Sequence, residues 1–68
     1  MIPLKYADHV QIKSGLREFV GATGRILHIE RYDSVCLYLV LLDRPVELEG
    51  VGRVISDRWS HEFLRKIQ

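Results

Sequence analysis

The residues near the C-terminus come closest to known catalytic patterns. His61 and Glu62 begin an H-E-x-x-H zinc-binding pattern, but the position that needs the second histidine holds Arg65. Ser60, His61 and Glu62 are adjacent in the chain, whereas a catalytic serine, histidine and acid converge from separate segments. The sequence therefore predicts no catalytic residue, no metal site and no cofactor.

Cys36 is the single cysteine of the chain and lies inside its longest apolar run, residues 35–42. A lone thiol cannot form a disulfide within the chain, which favours a reducing, cytoplasmic setting. A thiol in so apolar a segment is expected to be buried and unreactive.

Aromatic and arginine side chains are the strongest candidates for binding. Trp59 follows Arg58, and an aromatic face suits proline-rich peptides, stacked bases or methylated cations. The alternative is that Trp59 closes the core. The predicted binding residues are Arg17, Tyr32, Arg58, Trp59 and His61.

The overall composition predicts one small domain over residues 1–68, with residues 1–6 as an N-terminal arm. Ten basic and nine acidic side chains give a net charge of +1, without the basic excess that is usual in domains that bind nucleic-acid backbones. Seven of the ten basic residues are arginines, for which intramolecular salt bridges are the alternative to a ligand role. The apolar run of eight residues is far shorter than the roughly 20 that a membrane helix needs, and no signal peptide is visible. We expect no membrane contact.

The elements that must position these residues are short strands separated by turn residues. Strands are predicted at residues 8–13, 23–31, 35–43, 51–59 and 64–67, with a loop or distorted hairpin at 44–50 and a helical turn that Ser60 caps. Ile26 and Leu27 interrupt the alternation of the second strand, which predicts a bulge. A helix over residues 57–68 is the alternative for the tail, because Trp59, Phe63 and Ile67 recur with helical spacing.

Three glycines surround the first connection. Gly15 and Gly21 are expected to adopt positive φ between two strands, and Gly24 to permit a close approach of another backbone. A phosphate-binding loop is excluded, because no Lys-Ser/Thr pair follows Gly21 or Gly24.

The third predicted strand is apolar on both faces. Leu37, Leu39 and Leu41 point one way, and Tyr38, Val40 and Leu42 point the other way. A barrel has one interior, so the outer face needs a cover, which is either the N-terminal arm or another subunit. Tyr38, Val40 and Leu42 are the predicted interface residues, with a homo-oligomer or a larger protein as the partner.

The segment "DHVQIKSGLREFVGATGRILHIE", residues 8–30, resembles the KOW pattern of SH3-like barrels. The matching positions are Val10, Ile12, Gly15, Gly21, Gly24, Ile26 and Ile29, while Ala7-Asp8 stands where the pattern has Gly-Asp. The resemblance implies an all-β fold, a small five-stranded SH3-like barrel with one short helical turn before the last strand. It also implies nucleic-acid binding, for which four arginines would have to form one stripe: Arg17, Arg25, Arg53 and Arg58.

The strings "VQIKSG" and "FLRKI" resemble, more loosely, the small plasmid-type SH3-like dihydrofolate reductases, which assemble around a central pore. Residues 53–58 lack the catalytic segment of that family, so its activity is not carried over. The leading hypothesis is a small non-enzymatic binding module or accessory subunit that acts through protein–protein contacts. The alternatives are a KOW-type nucleic-acid-binding domain and an oligomeric pore enzyme of the small reductase type.

Overall fold

The computed structural model describes residues 4–67. Five antiparallel strands form one sheet in the order β4-β3-β2-β1-β5. The strands are β1 (His9–Ile12), β2 (Thr23–Tyr32), β3 (Val35–Leu48), β4 (Gly52–Ser60) and β5 (Leu64–Lys66), with a 3₁₀ turn (His61–Phe63) before the last strand. The all-β class and the single helical turn are therefore confirmed. The sheet is not closed within the described residues, so a barrel is not confirmed.

The sheet is curved, and its two edge strands share one core. The 3₁₀ turn leads directly from the end of β4 to the start of β5, so the chain itself links the two edges. Every strand contributes at least one buried side chain, and Phe19 adds one from the connection between β1 and β2. The core consists of Val10, Ile12, Phe19, Ile26, Tyr38, Val40, Leu42, Trp59 and Leu64. This small all-β fold is consistent with an SH3-like shape.

The predicted bulge in β2 is confirmed. Ile26 pairs with Val40 and His28 pairs with Leu39, so Leu27 is the extra residue. A bulge bends the strand that contains it and increases its twist. The bend helps β2 to pair with strands on both of its sides. It pairs with β1 through its first residues and with β3 along most of its length.

The glycine predictions are also confirmed. Gly15 and Gly21 have φ of +113° and +95°. A Cβ atom on Gly24 would stand 2.3 Å from the carbonyl oxygen of Leu41, which is an impossible distance. Glycine at position 24 therefore lets β2 and β3 approach each other.

Strand β3 is longer than the sequence predicts. Residues 44–48, for which Pro45 indicates a loop or distorted hairpin, belong to β3 and pair with the start of β4. The pairing shifts register between Leu41 and Val46. Pro45 lies in that unpaired interval, where its missing N–H costs no ladder hydrogen bond.

The helical alternative for the tail is wrong. Trp59 pairs with Tyr38 of β3, and Leu64 pairs with Ile12 of β1. Only three residues between them are helical. The side chain of Ser60 does not cap this turn, in contrast to the prediction.

The predicted N-terminal arm lies partly outside the described residues, which begin at Leu4. Leu4 packs against the core. The backbone N–H of Lys5 donates to Asp8 Oδ2 at 2.9 Å, and Ala7 N donates to the carbonyl oxygen of Ile26 at 2.8 Å. Residues 5–8 thus form a turn that is bonded to β2.

Candidate functional site

One face of β3 carries a row of apolar side chains that point away from the core. Burial alternates along the strand, with Tyr38, Val40 and Leu42 buried and their neighbours more exposed. The outward-facing residues are Val35, Leu37, Leu39 and Leu41. We call these four residues the outer row.

Polar residues border the outer row on both sides. Directly opposed residues of antiparallel strands share a face. On β2 the opposed residues are Tyr32, Glu30, His28 and Arg25, and on β4 they are Ser60, Arg58 and Ser56. The outer row is therefore an apolar strip about one strand wide within a polar frame.

An ion pair crosses the outer row. Arg58 Nε lies 3.0 Å from Glu30 Oε1 and 3.2 Å from Oε2. Because β3 separates the two strands, their backbones are about 10 Å apart, and the arginine side chain must extend over β3 to make this contact. Leu39 is opposed to Arg58 and Leu37 to Glu30, and both leucines are only partly exposed.

Tyr32 completes this polar group. Its hydroxyl donates to Glu30 Oε1 at 3.1 Å. The hydrogen bond from Arg58 holds the pKa of Glu30 below its ordinary value, and the same bond raises the pKa of Arg58. The hydrogen bond to Glu30 raises the pKa of the Tyr32 hydroxyl. Glu30 is therefore ionised at pH 7, and its negative charge balances the positive charge of the Arg58 guanidinium.

Exposed apolar surface is concentrated on this face. Nine large apolar side chains are exposed within residues 4–67, and four of them belong to the outer row or to β2 beside it. These four are Leu27, Tyr32, Val35 and Leu41, with exposed fractions of 41–56%. Tyr32 and Val35 are directly opposed, so exposed apolar side chains of β2 and β3 meet at that end of the outer row.

The structure divides the predicted binding residues between different surfaces. Tyr32 and Arg58 lie together on the outer face, joined through Glu30. Arg17 is exposed in the connection between β1 and β2, and His61 is exposed on the 3₁₀ turn. Trp59 points to the opposite side of β4, into the core. The five residues therefore do not form one site.

Trp59 anchors the core. It is 8% exposed and stands edge-on to Phe19 and to Phe63, with ring centroids 5.1 Å and 6.1 Å away. Its Cζ3 atom would lie 3.1 Å from a Cβ atom at position 15, so Gly15 makes room for the ring. Its Nε1 atom is buried and has no hydrogen-bond partner among the described residues. This environment matches the alternative role for Trp59, which is to close the core.

The predicted interface residues require a correction. Tyr38, Val40 and Leu42 are 9%, 0% and 6% exposed and belong to the core. Alternation shows that β3 has two apolar faces but carries no information on which face turns inward. The pairing decides this, because Tyr38 lies between Ile29 and Trp59, and all three contribute to or pack against the core. The outward face is the other one, that of the outer row.

A second polar cluster joins three strands. Asp43 Oδ2 accepts hydrogen bonds from Thr23 Oγ1 at 2.6 Å and from His9 Nε2 at 2.8 Å. These bonds, the one from Thr23 first, hold the pKa of Asp43 below its ordinary value. Thr23 and His9 bind the same oxygen and not each other, so His9 is not in contact with the Thr23 hydroxyl. Asp43 is in contact with that hydroxyl, but its lowered pKa makes it a weak base.

This cluster borders an open cavity of about 350 Å³. The cavity lies beside the register shift of β3, between Leu41 and Val46. Residues of β3 in this interval and residues at the start of β2 form its walls. The lining residues are Gly21, Ala22, Thr23, Asp43, Arg44, Pro45 and Val46. They contribute one acidic and one basic side chain, and Asp43 is already committed to its two donors.

No metal-binding arrangement is present within residues 4–67, where no three His, Cys, Asp or Glu side chains converge. Cys36 is a free thiol and is half-buried, not fully buried. The described part of the chain has no helix with the length and apolar character that crossing a bilayer requires.

Comparisons of the chain with protein-family models, with curated proteins and with solved structures found no match. The candidate site therefore depends on the geometry of this chain alone.

Sequence reasoning misses two parts of the candidate site. It places Leu37, Leu39 and Leu41 on one face of β3 but selects the opposite face as the interface. It does not select Glu30, because a glutamate among other charges gives no signal in the sequence. The position of Glu30 beside Arg58 arises only from the pairing of β2, β3 and β4.

Proposed function

We propose that this chain is a small non-enzymatic binding module that contacts another protein through the outer row and its polar frame. The observation that carries the proposal is the apolar strip along β3, in which Val35 and Leu41 are 49% and 41% exposed and Leu37 and Leu39 are partly exposed. Removal of such a strip from water is favourable by about 25 cal/mol per Å² of apolar surface, and the part that exceeds the entropy cost of association appears as affinity.

The electrostatics of the outer face favour protein over nucleic acid as the partner. Arg58 lies at its centre, but its charge is matched by Glu30 at 3.0 Å. An apolar core inside a polar rim is the usual arrangement of a protein–protein contact. Phosphate binding would instead need positive charge without an internal partner.

The arginines that the KOW resemblance requires have partners inside the chain. Arg58 bonds Glu30, Arg53 lies 3.3 Å from Glu47, and Arg25 donates to the carbonyl oxygen of Ala7 at 3.2 Å. Three of the four arginines of the expected stripe are thus engaged. These contacts support the protein-binding hypothesis over its nucleic-acid alternative.

Site-specific photocrosslinking tests the proposal and captures the partner whatever its identity. Leu41→p-benzoyl-phenylalanine places the probe on the outer row, and the same change at Val51 places it in the exposed turn between β3 and β4. After irradiation in the cells that express the protein natively, the probe at position 41 should give a covalent protein adduct that the probe at position 51 does not give. Absence of a protein adduct at position 41, or equal adducts at both positions, would contradict the proposal.

Nucleic-acid binding is measured with the same protein. Titration of labelled single- and double-stranded RNA and DNA at low salt should show no saturable binding. Tight binding that weakens steeply with added salt would instead show phosphate contacts and favour the KOW-type alternative.

A further inference from the structure

We infer that Asp57 protects the free edge of β4 against pairing with a strand of another chain. The inference goes beyond the proposed function, because it concerns the backbone at the edge of the sheet and not the outer row. It follows from the place of β4 in the sheet and from the contact that the Asp57 carboxylate makes with the backbone.

Strand β4 is an edge strand of nine residues. It pairs with β3 on one side, and within residues 4–67 no strand pairs with its other side. The free side of an edge strand presents unpaired N–H and C=O groups, which act as a template for a strand of another chain. An edge of this length therefore favours association unless a local feature prevents it.

The hydrogen bonds of the sheet determine which groups of β4 face the free edge. The N–H and C=O groups of Ile26 both bond to residues 7–8, so they point away from β3. Val40 is opposed to Ile26 and therefore directs its own backbone groups towards β4, where it is opposed to Asp57. Backbone groups alternate in direction along an antiparallel strand, so the N–H of Arg58 points to the free edge.

The Asp57 carboxylate occupies this position on the edge. Its Oδ1 atom accepts a hydrogen bond from the backbone N–H of Arg58 at 2.8 Å. A strand that added to β4 would have to bring a carbonyl oxygen to the same N–H and displace the carboxylate. Pairing would then exchange one hydrogen bond for another at this residue and gain little.

The side of the sheet on which Asp57 lies adds a second obstacle. Asp57 is opposed to Val40, which is 0% exposed and faces the core, so Asp57 lies on the apolar side of the sheet. It is itself exposed because β4 is at the edge. An added strand would place its own side chains beside Asp57 and remove the carboxylate from water, which is unfavourable. Inward-pointing charges protect the edge strands of natural sheets in this way.

Asp57→Ala tests the inference, because it removes the acceptor and the charge and leaves the buried side chains unchanged. The variant should self-associate at a protein concentration about ten-fold lower than the wild type, since an added strand then gains the free N–H of Arg58. Sedimentation equilibrium measures this. Amide exchange followed by NMR should show that the N–H groups of Ser56 and Arg58, which both face the free edge, become protected in the associated form.

Two further variants serve as controls. Glu49→Ala removes the same charge from the exposed turn between β3 and β4 and should associate no more than the wild type. Asp57→Asn keeps an oxygen that accepts from the N–H of Arg58, so it should associate less readily than the alanine variant. Amide NMR spectra at low concentration confirm that each variant is folded.

A measurement on the wild type does not depend on the folding of any variant. The amide proton of Arg58 should shift together with the carboxyl carbon of Asp57 as acid titrates that carboxyl group. An Arg58 amide that does not follow this titration overturns the inference. An alanine variant that associates no more readily than the Glu49 variant does so too, as does an associated form in which Ser56 and Arg58 stay unprotected. Crosslinking at position 41 tests the proposed function separately, so either proposal can fail alone.

Discussion

Ala7 adopts a backbone conformation that is costly for a residue with a side chain. Its φ is +71°, in the left-handed region, and its N–H is held by the carbonyl oxygen of Ile26. The KOW pattern that the sequence resembles has glycine at this position. The left-handed φ of Ala7 thus stores local strain in the turn at residues 5–8.

Ala7→Gly should stabilise the protein. Removal of the Cβ atom relieves about 1–2 kcal/mol of left-handed strain, while the added freedom of the unfolded chain costs somewhat less. We expect a net gain of about 0.5–1 kcal/mol in the free energy of unfolding, measured by urea denaturation. Ala22→Gly is the control, since Ala22 packs against the core and should lose stability. Loss of stability in the Ala7 variant would show that the left-handed φ at this position does not lower the free energy of unfolding.

Asp43 makes the stability of the fold sensitive to acid. Its pKa is lowered by the hydrogen bonds from Thr23 and His9, with a smaller contribution from nearby Arg25. A lowered folded-state pKa stabilises the protein above the ordinary value of 3.8, and this stabilisation is lost as the pH falls through the folded-state value.

Asp43→Asn tests this linkage. The variant should be less stable than the wild type at pH 6, and the difference should shrink as the pH falls below the ordinary carboxyl value of 3.8. Asp33→Asn removes a charge from the turn between β2 and β3, where the new side chain tolerates the positive φ. Urea titrations from pH 2.5 to 7 follow both variants. If the Asp43 variant and the wild type differed in the free energy of unfolding by the same amount at every pH, ionisation of the Asp43 carboxylate would not contribute to stability.

The connection between β1 and β2 is an element of the core although it contains no regular secondary structure. Phe19 is 1% exposed and lies against Trp59, and the N–H groups of Phe19 and Ala22 close turns within the connection. Gly21 N also donates to the carbonyl oxygen of Ile12 at 2.8 Å. The segment is thus fixed at its ends by hydrogen bonds and at its centre by one aromatic ring.

Phe19→Ala should lower the free energy of unfolding by about 3–5 kcal/mol. A chain of this length has a total stability of roughly 3–10 kcal/mol, so the variant should lose a large fraction of it. The neighbouring Val20→Ala is the matched control and should change stability by less than about 0.5 kcal/mol, since Val20 is exposed. Circular dichroism with thermal and urea denaturation measures both. Equal effects of the two changes would show that the connection is not part of the core.

The whole molecule combines a small core with an apolar row on its outer surface. Nine buried side chains form the core within residues 4–67, and a domain of this size buries only about 60% of the surface of its unfolded chain. A protein partner on the outer row would extend the buried region beyond one chain, so that folding and association would be linked.

Much of the fold could be predicted from local patterns. The strand alternation, the bulge at Leu27 and the close approach at Gly24 each depend on a few adjacent residues, and all three are confirmed. The extent of β3 could not be predicted in this way. Pro45 suggests a loop, but the partner strand β4 accommodates it through the register shift.

The candidate site could be predicted only in part. Tyr32 and Arg58 are candidates because of their side-chain types, and they lie together on the outer face. Trp59 is a candidate for the same reason and lies in the core, because adjacent residues in a strand point to opposite faces. Side-chain chemistry alone cannot distinguish these two positions.

The sequence by itself determined that this chain is all-β, that β3 is apolar on both faces and where its backbone must bend or approach a neighbour. These properties depend on the period of two along a strand and on glycine stereochemistry, which act over a few residues. Only the tertiary structure decided which face of β3 turns inward and that Glu30 meets Arg58 across it. Those facts depend on the register between strands far apart in the chain, and alternation is equally consistent with either face until that register is set.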